Sequence, residues 1–210
     1  MAKKFIILDT ETTGLEVRQG HKIIEIGAVV LNDRKKSSDH FHAYINPGRL
    51  IDEEASKVHG ITNQDLENEP MFAAIADDFI EFIQGSTLII HNAPFDVGFL
   101  NSELKAVSAK YPKLEDICEI EDSLVIARSK FPGQRNSLDA LANRFEVSGY
   151  DRSFHGALLD ANILADVYIY LTGGQSKFEF SDNTLSSSEN HDDTKSNMSL
   201  DGLKFVKVSN

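Results

Sequence analysis

The chain has 210 residues, 41% hydrophobic and 26% charged, which describes one folded domain, or one domain and a tail, with a core of its own. A single cysteine, Cys118, excludes an internal disulfide and a cysteine-rich zinc site and reads as a small core hydrophobe. A formal net charge of −12 argues against tight unaided binding to nucleic acid, but not against phosphate chemistry where bound cations supply the positive charge.

The first segment, "MAKKFIILDT", has two lysines and an apolar run that Asp9 cuts. The run is too short for a signal peptide or a bilayer span, so a cytoplasmic protein with no membrane partner is expected. "KFIILD" reads as a buried strand. "KIIEIGAVVL" (22–31) and "HFHAYINP" (40–47) read as two more strands, with "NDRKKSSD" between them as a polar turn. Three strands with short connections predict an antiparallel meander. "DEEASKVHG" predicts a short helix. "MFAAIADDFIEFIQG" predicts a longer one, with Phe72, Ile75, Ala76, Phe79 and Ile83 at helical spacing and a stop at Gly85. "STLIIHN" reads as a strand, followed by a helix from Pro94. Ser137 reads as the N-cap of a helix in "NSLDALANRFEV", and "GALLDANILADVYIYLTGG" as a last helix ending at Gly173. Meander first, then strands alternating with helices: this predicts an α/β domain with a mixed sheet and helices packed on it.

The domain is expected to span residues 1–174, with a polar, disordered linker over 181–202. The final "LKFVKVSN" returns Leu203, Phe205, Val206 and Val208 and reads as a candidate docking peptide over 203–210.

Asp9 and Glu11 stand two apart in a strand and therefore share a face. Two adjacent carboxylates repel unless something positive lies between them, and a hard divalent cation such as Mg²⁺ or Mn²⁺ takes oxygen ligands. Asp96 falls in the first turn of a helix directly after a strand, where α/β folds place functional groups. His155 and Asp160 would not share a helical face, but if Gly156 marks the helix start His155 lies outside it and can bend toward Asp160. Four carboxylates and a histidine suit two-metal hydrolysis of a phosphodiester, with a neutral His taking the proton.

"DTETTG", "IIEIGAV", "VHGIT", "HNAPFDVGFL", "FPGQRNSLDALANRFEV" and "HGALLDANILADVY", in this order, resemble the DEDDh 3′–5′ exonucleases, and among them the proofreading epsilon subunits of bacterial DNA polymerase III. The resemblance covers residues 5 to about 180. It implies a ribonuclease-H-like fold, an antiparallel meander plus parallel strands flanked by helices. It implies Asp9, Glu11, Asp96 and Asp160 as carboxylates for two divalent cations and His155 as general base. Thr12 and Leu15 would lie along the 3′-terminal nucleotide, Glu54 would meet its 3′-hydroxyl, and Val58, His59 and Phe95 would line its pocket. The implied partners are DNA 3′ ends, the DNA polymerase III catalytic subunit and the sliding clamp, with a small accessory subunit left open. The departure is the tail, which is short and has an unfamiliar linker. "QSKFEF" (175–180) resembles the short peptide by which bacterial replication proteins bind the clamp, with Gln175 making polar contacts and Phe178 and Phe180 filling an apolar pocket. Two other readings use the same residues differently: an RNA-trimming exoribonuclease of the same superfamily, and a non-catalytic bridge between polymerase and clamp.

Overall fold

The apolar run that opens the chain continues through its acids: strand β1 spans Phe5–Thr12, so Asp9 and Glu11 lie inside the strand rather than at its end. A computed structural model describes residues 4–32, 34–150 and 154–173, all within one unit, Met1–Ser176. Strand β2 (Ile23–Asn32) pairs antiparallel with β1, and β3 (Lys35–Tyr44) antiparallel with β2. After helices α1 (Glu53–His59) and α2 (Phe72–Ile83), strand β4 (Thr87–Ile90) joins the other side of β1 in parallel. Helix α3 (Ala93–Val107) and the short α4 (Leu114–Ile117) lead to β5 (Glu119–Asp122), which is parallel to β4. The sheet order is β3-β2-β1-β4-β5: the sheet is mixed, as expected, with a fifth strand that was not. Helices α5 (Ser123–Lys130), α6 (Leu138–Arg144) and α7 (Ala157–Gly173) complete the domain. Among the described residues no helix is long and apolar enough to cross a membrane.

The alternation of β1 decides which side chains meet which helices. Ile6 and Leu8 enter one core with Phe79 of α2 and with Phe99, Leu100 and Leu104 of α3. Ile7 points the other way, onto Ala161, Leu164 and Ala165 of α7. With period 2, Asp9 and Glu11 follow Ile7 toward α7, and Thr10 and Thr12 follow Leu8 toward α3. Helix α7 approaches closely because its facing residues are small: Ala157, Ala161 and Ala165 are fully buried. Gly27 on β2 completes the fit. A Cβ there would stand 2.1 Å from the Leu158 amide nitrogen and 2.3 Å from the Ala157 carbonyl carbon. Backbone cannot rotate aside as a side chain can, so Gly27→Ala should cost about 1–3 kcal/mol or more by overpacking. Denaturant unfolding checks this; an unchanged midpoint would contradict the account.

Three expectations need correction. "NDRKKSSD" is not an extended polar turn: Asn32 pairs with Lys35, and residues 35–39 already belong to β3. The segment is polar because β3 is an edge strand with a largely exposed face, where charge also blocks unwanted pairing. The turn is tight, with Arg34 at φ 65°. Strand β5 and helix α5 have no counterpart in the sequence reading, since "EIED" carries a single apolar residue among three acids. The helix after Ser137 stops at Arg144 rather than running through "FEV". Cys118 does lie in the core, hydrogen-bonded to the Ile83 carbonyl. The candidate peptides at 175–180 and 203–210, and the linker between them, lie outside the described residues.

Candidate active site

The parallel pairing of β1 with β4 ends at Ile7, while its antiparallel pairing with β2 runs on to Thr12. The carboxyl half of β1 is therefore open on the β4 side, a crevice at the strand ends of the kind where α/β sheets bind ligands. Asp9 and Glu11 project there. Asp96 comes from the first turn of α3 and is buried; the Thr10 hydroxyl donates to its Oδ1 at 2.7 Å. Asp160 comes from the first turn of α7 and is also buried. His155 precedes that helix, and its Nδ1 donates to Asp160 Oδ2 at 2.8 Å. One ligand atom from each of Glu11, His155 and Asp160 falls within 4.8 Å of the other two.

Three of these acids, Asp9, Glu11 and Asp96, are held against their ionisation. Burial, then the charges of Asp96, Glu11 and Asp160, push the Asp9 carboxyl well above the usual range. Burial, then Asp160, Glu25 and Asp96, raise Glu11 to about 8. Burial raises Asp96 to about 7, although the Thr10 bonds pull it back. Charge crowding of this kind in a cleft marks a site built for a positive partner.

Beside the acids lies a pocket of about 390 Å³, lined by Thr12, Leu15, Glu54, Val58, His59 and Phe95 together with Thr10 and Glu11. All six residues expected to meet substrate thus surround one cavity. Val58 is 52% exposed, so it is not core. Phe95 packs on Phe99, ring centroids 4.9 Å apart, and turns its remaining surface to the pocket. His59 is buried, and burial lowers its pKa. Its Nδ1 accepts the Ile61 N–H at 3.1 Å, which leaves the proton on Nε2. Among the described residues that Nε2 is a buried polar atom with no protein hydrogen bond.

The exonuclease family matches residues 6–168 of the chain. DNA polymerase III subunit epsilon of Escherichia coli K12 is 50% identical over 179 residues, covering 83% of this chain and 74% of the relative. The chain belongs to the exonuclease family. Within it, this exonuclease is of the DEDDh, epsilon-like type. The Rickettsia typhi subunit of the same name is 54% identical over 178 residues, 84% of this chain and 78% of its own. Among solved structures, exonuclease X in complex with 5′-overhanging duplex DNA superposes with a TM-score of 0.60 at 26% identity, covering 80% of this chain and 90% of that one.

The exonuclease also builds its site with residues to which the sequence reading gave no role. Thr10 fixes Asp96, as described. His21, 6% exposed, sits 3.0 Å from the Thr13 hydroxyl through Nδ1 and 3.5 Å from Asp52 Oδ2 through Nε2. It ties the turn after β1 to the start of α1. Gly14 must be glycine there, because a Cβ would fall 2.3 Å from the His21 ring. Glu25 on β2 stands opposite Glu11, and Asp122 caps α5 through the Leu124 N–H at 2.9 Å. The signal for Glu25 was available: one acid inside the apolar run "IIEIGAVV" is expensive to bury without partners.

Proposed function

We propose that this exonuclease removes mispaired 3′-terminal nucleotides from DNA during replication, hydrolysing the last phosphodiester in the 3′-to-5′ direction and releasing nucleoside 5′-monophosphates. The observation that carries the reading is the crowding of Asp9, Glu11, Asp96 and Asp160, with the first three held above their usual pKa range, beside a pocket with an orphaned donor. The donor set is all oxygen and anionic, which fits hard divalent cations. Two such ions, Mg²⁺ or Mn²⁺, held by the four carboxylates would supply activation of the attacking water and neutralise charge on the scissile phosphate.

The chain's own groups do the rest. With Nδ1 donating to Asp160, His155 presents Nε2 as the proton acceptor for that water. His59 offers its Nε2–H to an oxygen of the terminal nucleotide, and Glu54 meets the 3′-hydroxyl. Leu15, Val58 and Phe95 give the base and sugar an apolar bed. A frayed end enters such a pocket more readily than a paired one, because the mismatch has already reduced the unpairing cost. No base need be read.

The named relatives support a place beside a replicative polymerase, in the cytoplasm. A chain at −12 holds DNA weakly alone, and tethering through the polymerase and the sliding clamp would compensate by raising the effective concentration of primer ends. The segment 175–180 supplies the clamp contact. Replacing Phe178 and Phe180 with alanine should abolish clamp binding in a pull-down and leave cleavage of single-stranded DNA unchanged; retained clamp binding would remove the assignment.

The raised carboxyls predict a metal-dependent stability profile. An acid whose folded pKa exceeds its unfolded value stays protonated longer in the fold, so stability falls as pH rises between the two. For Glu11 that window runs from about 4.5 to about 8. The metal-free protein should therefore lose melting temperature from pH 5 to pH 8, and Mg²⁺ should restore more of it at pH 8 than at pH 5. A metal-free profile that rises across this window would contradict the crowding.

The deciding assay uses DNA and RNA oligonucleotides of one sequence, labelled at the 5′ end, with Mg²⁺ or Mn²⁺ and a chelator control. A metal-dependent ladder shortening DNA from its 3′ end, much faster than RNA, is expected. RNA cut as fast would favour the RNA-trimming reading, and no cleavage of either the bridging one.

A further inference from the structure

Glu25 is the most deeply buried acid of the β1–β2 pair, 2% exposed, and none of the chemistry above uses it. Both of its oxygens are engaged. Oε1 accepts from His42 Nε2 at 2.8 Å, across the β2–β3 pairing. Oε2 accepts the Ala157 N–H of α7 at 3.0 Å. The first-turn N–H groups of a helix have no partner within it. Here one of them is satisfied by a carboxylate from a strand far away in sequence, a charge-assisted bond at the positive end of the helix.

We propose that Glu25 is a positioning residue for the catalytic end of α7. The proposal rests on the reading of His155 and Asp160 given above. Ala157 lies two residues after His155 and three before Asp160, so the group that holds its amide sets both. The surroundings agree. Gly27, two residues along β2, brings the backbone of Ala157 and Leu158 into direct contact with the sheet. An ideal Cβ on Gly156 would be 3.8 Å from Glu25 Oε2, so the carboxylate lies directly under the turn between base and helix. On the other side, the His155 N–H donates to the Val58 carbonyl at 3.2 Å. The segment 155–157 is thus pinned at two points, one on the pocket wall and one on Glu25. Glu25 does this at an electrostatic cost, since its charge adds to the repulsion on Glu11 and Asp9. His42 fixes the Glu25 side chain so that Oε2 stays aimed at α7.

The test compares wild type with Glu25→Ala, Glu25→Gln and His42→Ala in single-stranded DNA cleavage, and follows the Ala157 backbone amide by NMR in metal-free protein. Glu25→Ala should lower kcat about 10- to 100-fold while KM stays within about threefold, as expected when a reacting group is misplaced and substrate binding is intact. Its Ala157 amide proton should move upfield and exchange faster. Glu25→Gln keeps an oxygen for that amide and should recover about fivefold or more of the loss. His42→Ala, which leaves α7 itself untouched, should lower kcat by about threefold and carries the test if Glu25→Ala does not fold. A Glu25→Ala variant with kcat within twofold of wild type, a KM rise at constant kcat, or Glu25→Gln no better than Glu25→Ala would overturn the proposal. Failure of the underlying reading is separate: it would appear as a wild-type protein without 3′–5′ cleavage.

Discussion

Asp9→Asn is expected to abolish cleavage and, at the same time, to make the metal-free protein more stable. Both effects have one cause. Asp9 is half-buried beside Asp96, Glu11 and Asp160, and each of those charges makes its ionisation harder. An amide of the same shape removes the repulsion and the desolvated charge together. At about 2–4 °C per kcal/mol for a domain of this size, relief of even part of that strain is readable in a thermal melt. The same substitution removes an anionic oxygen from the proposed cation site, where stabilisation of the transition state is worth several kcal/mol. A loss of about a thousandfold or more in kcat follows. Asp9→Asn should also lose the Mg²⁺-dependent gain in melting temperature. An active variant, or one melting lower than wild type without metal, would contradict this reading of the acids.

His155→Ala should lower kcat about 10²- to 10⁴-fold, the usual worth of a positioned general base. The structure also allows a different role for this residue, because its ring nitrogen, Glu11 and Asp160 lie close enough together to share an ion. The two roles separate experimentally. If His155 is the base, Mn²⁺ affinity of the Ala variant stays within about threefold of wild type. Its side chain is 41% exposed, so free imidazole can reach the space it leaves, and added imidazole should restore part of the activity of His155→Gly. If His155 is a ligand, metal affinity falls about 10-fold or more and imidazole rescue tracks metal occupancy instead.

The parts of the site legible in the sequence were those governed by local geometry. The two-residue spacing of Asp9 and Glu11 fixes their common face whatever the rest of the fold does. Asp96 follows a strand and a proline, and that combination marks the first turn of a helix. His155 before a glycine and Asp160 after it can meet only if the helix starts between them, as it does at Ala157. The parts that were not legible depend on tertiary placement. Strand β5 consists of Glu119–Asp122, and it becomes a strand because Ile89 and Ile90 of β4 offer it an edge. Lys35–Asp39 look like a loop because they form the outer edge of the sheet. Glu25 looks like an interruption in an apolar strand until α7 is laid across it, and its partners are 17 and 132 residues distant. The meander, by contrast, was readable because its strands are neighbours in both sequence and space.

The seating of α7 against β1 and β2 has a consequence in time. Asp9 and Glu11 are made first, and the helix that brings Asp160, with the histidine in front of it, is the last element of the described domain. At 5–20 residues per second, a ribosome takes roughly 8 to 30 s to travel from one to the other. Through that interval the sheet can assemble, but Asp160 and His155 are missing from beside Asp9 and Glu11. On the proposed reading, a nascent chain therefore cannot cut DNA until α7 has been made.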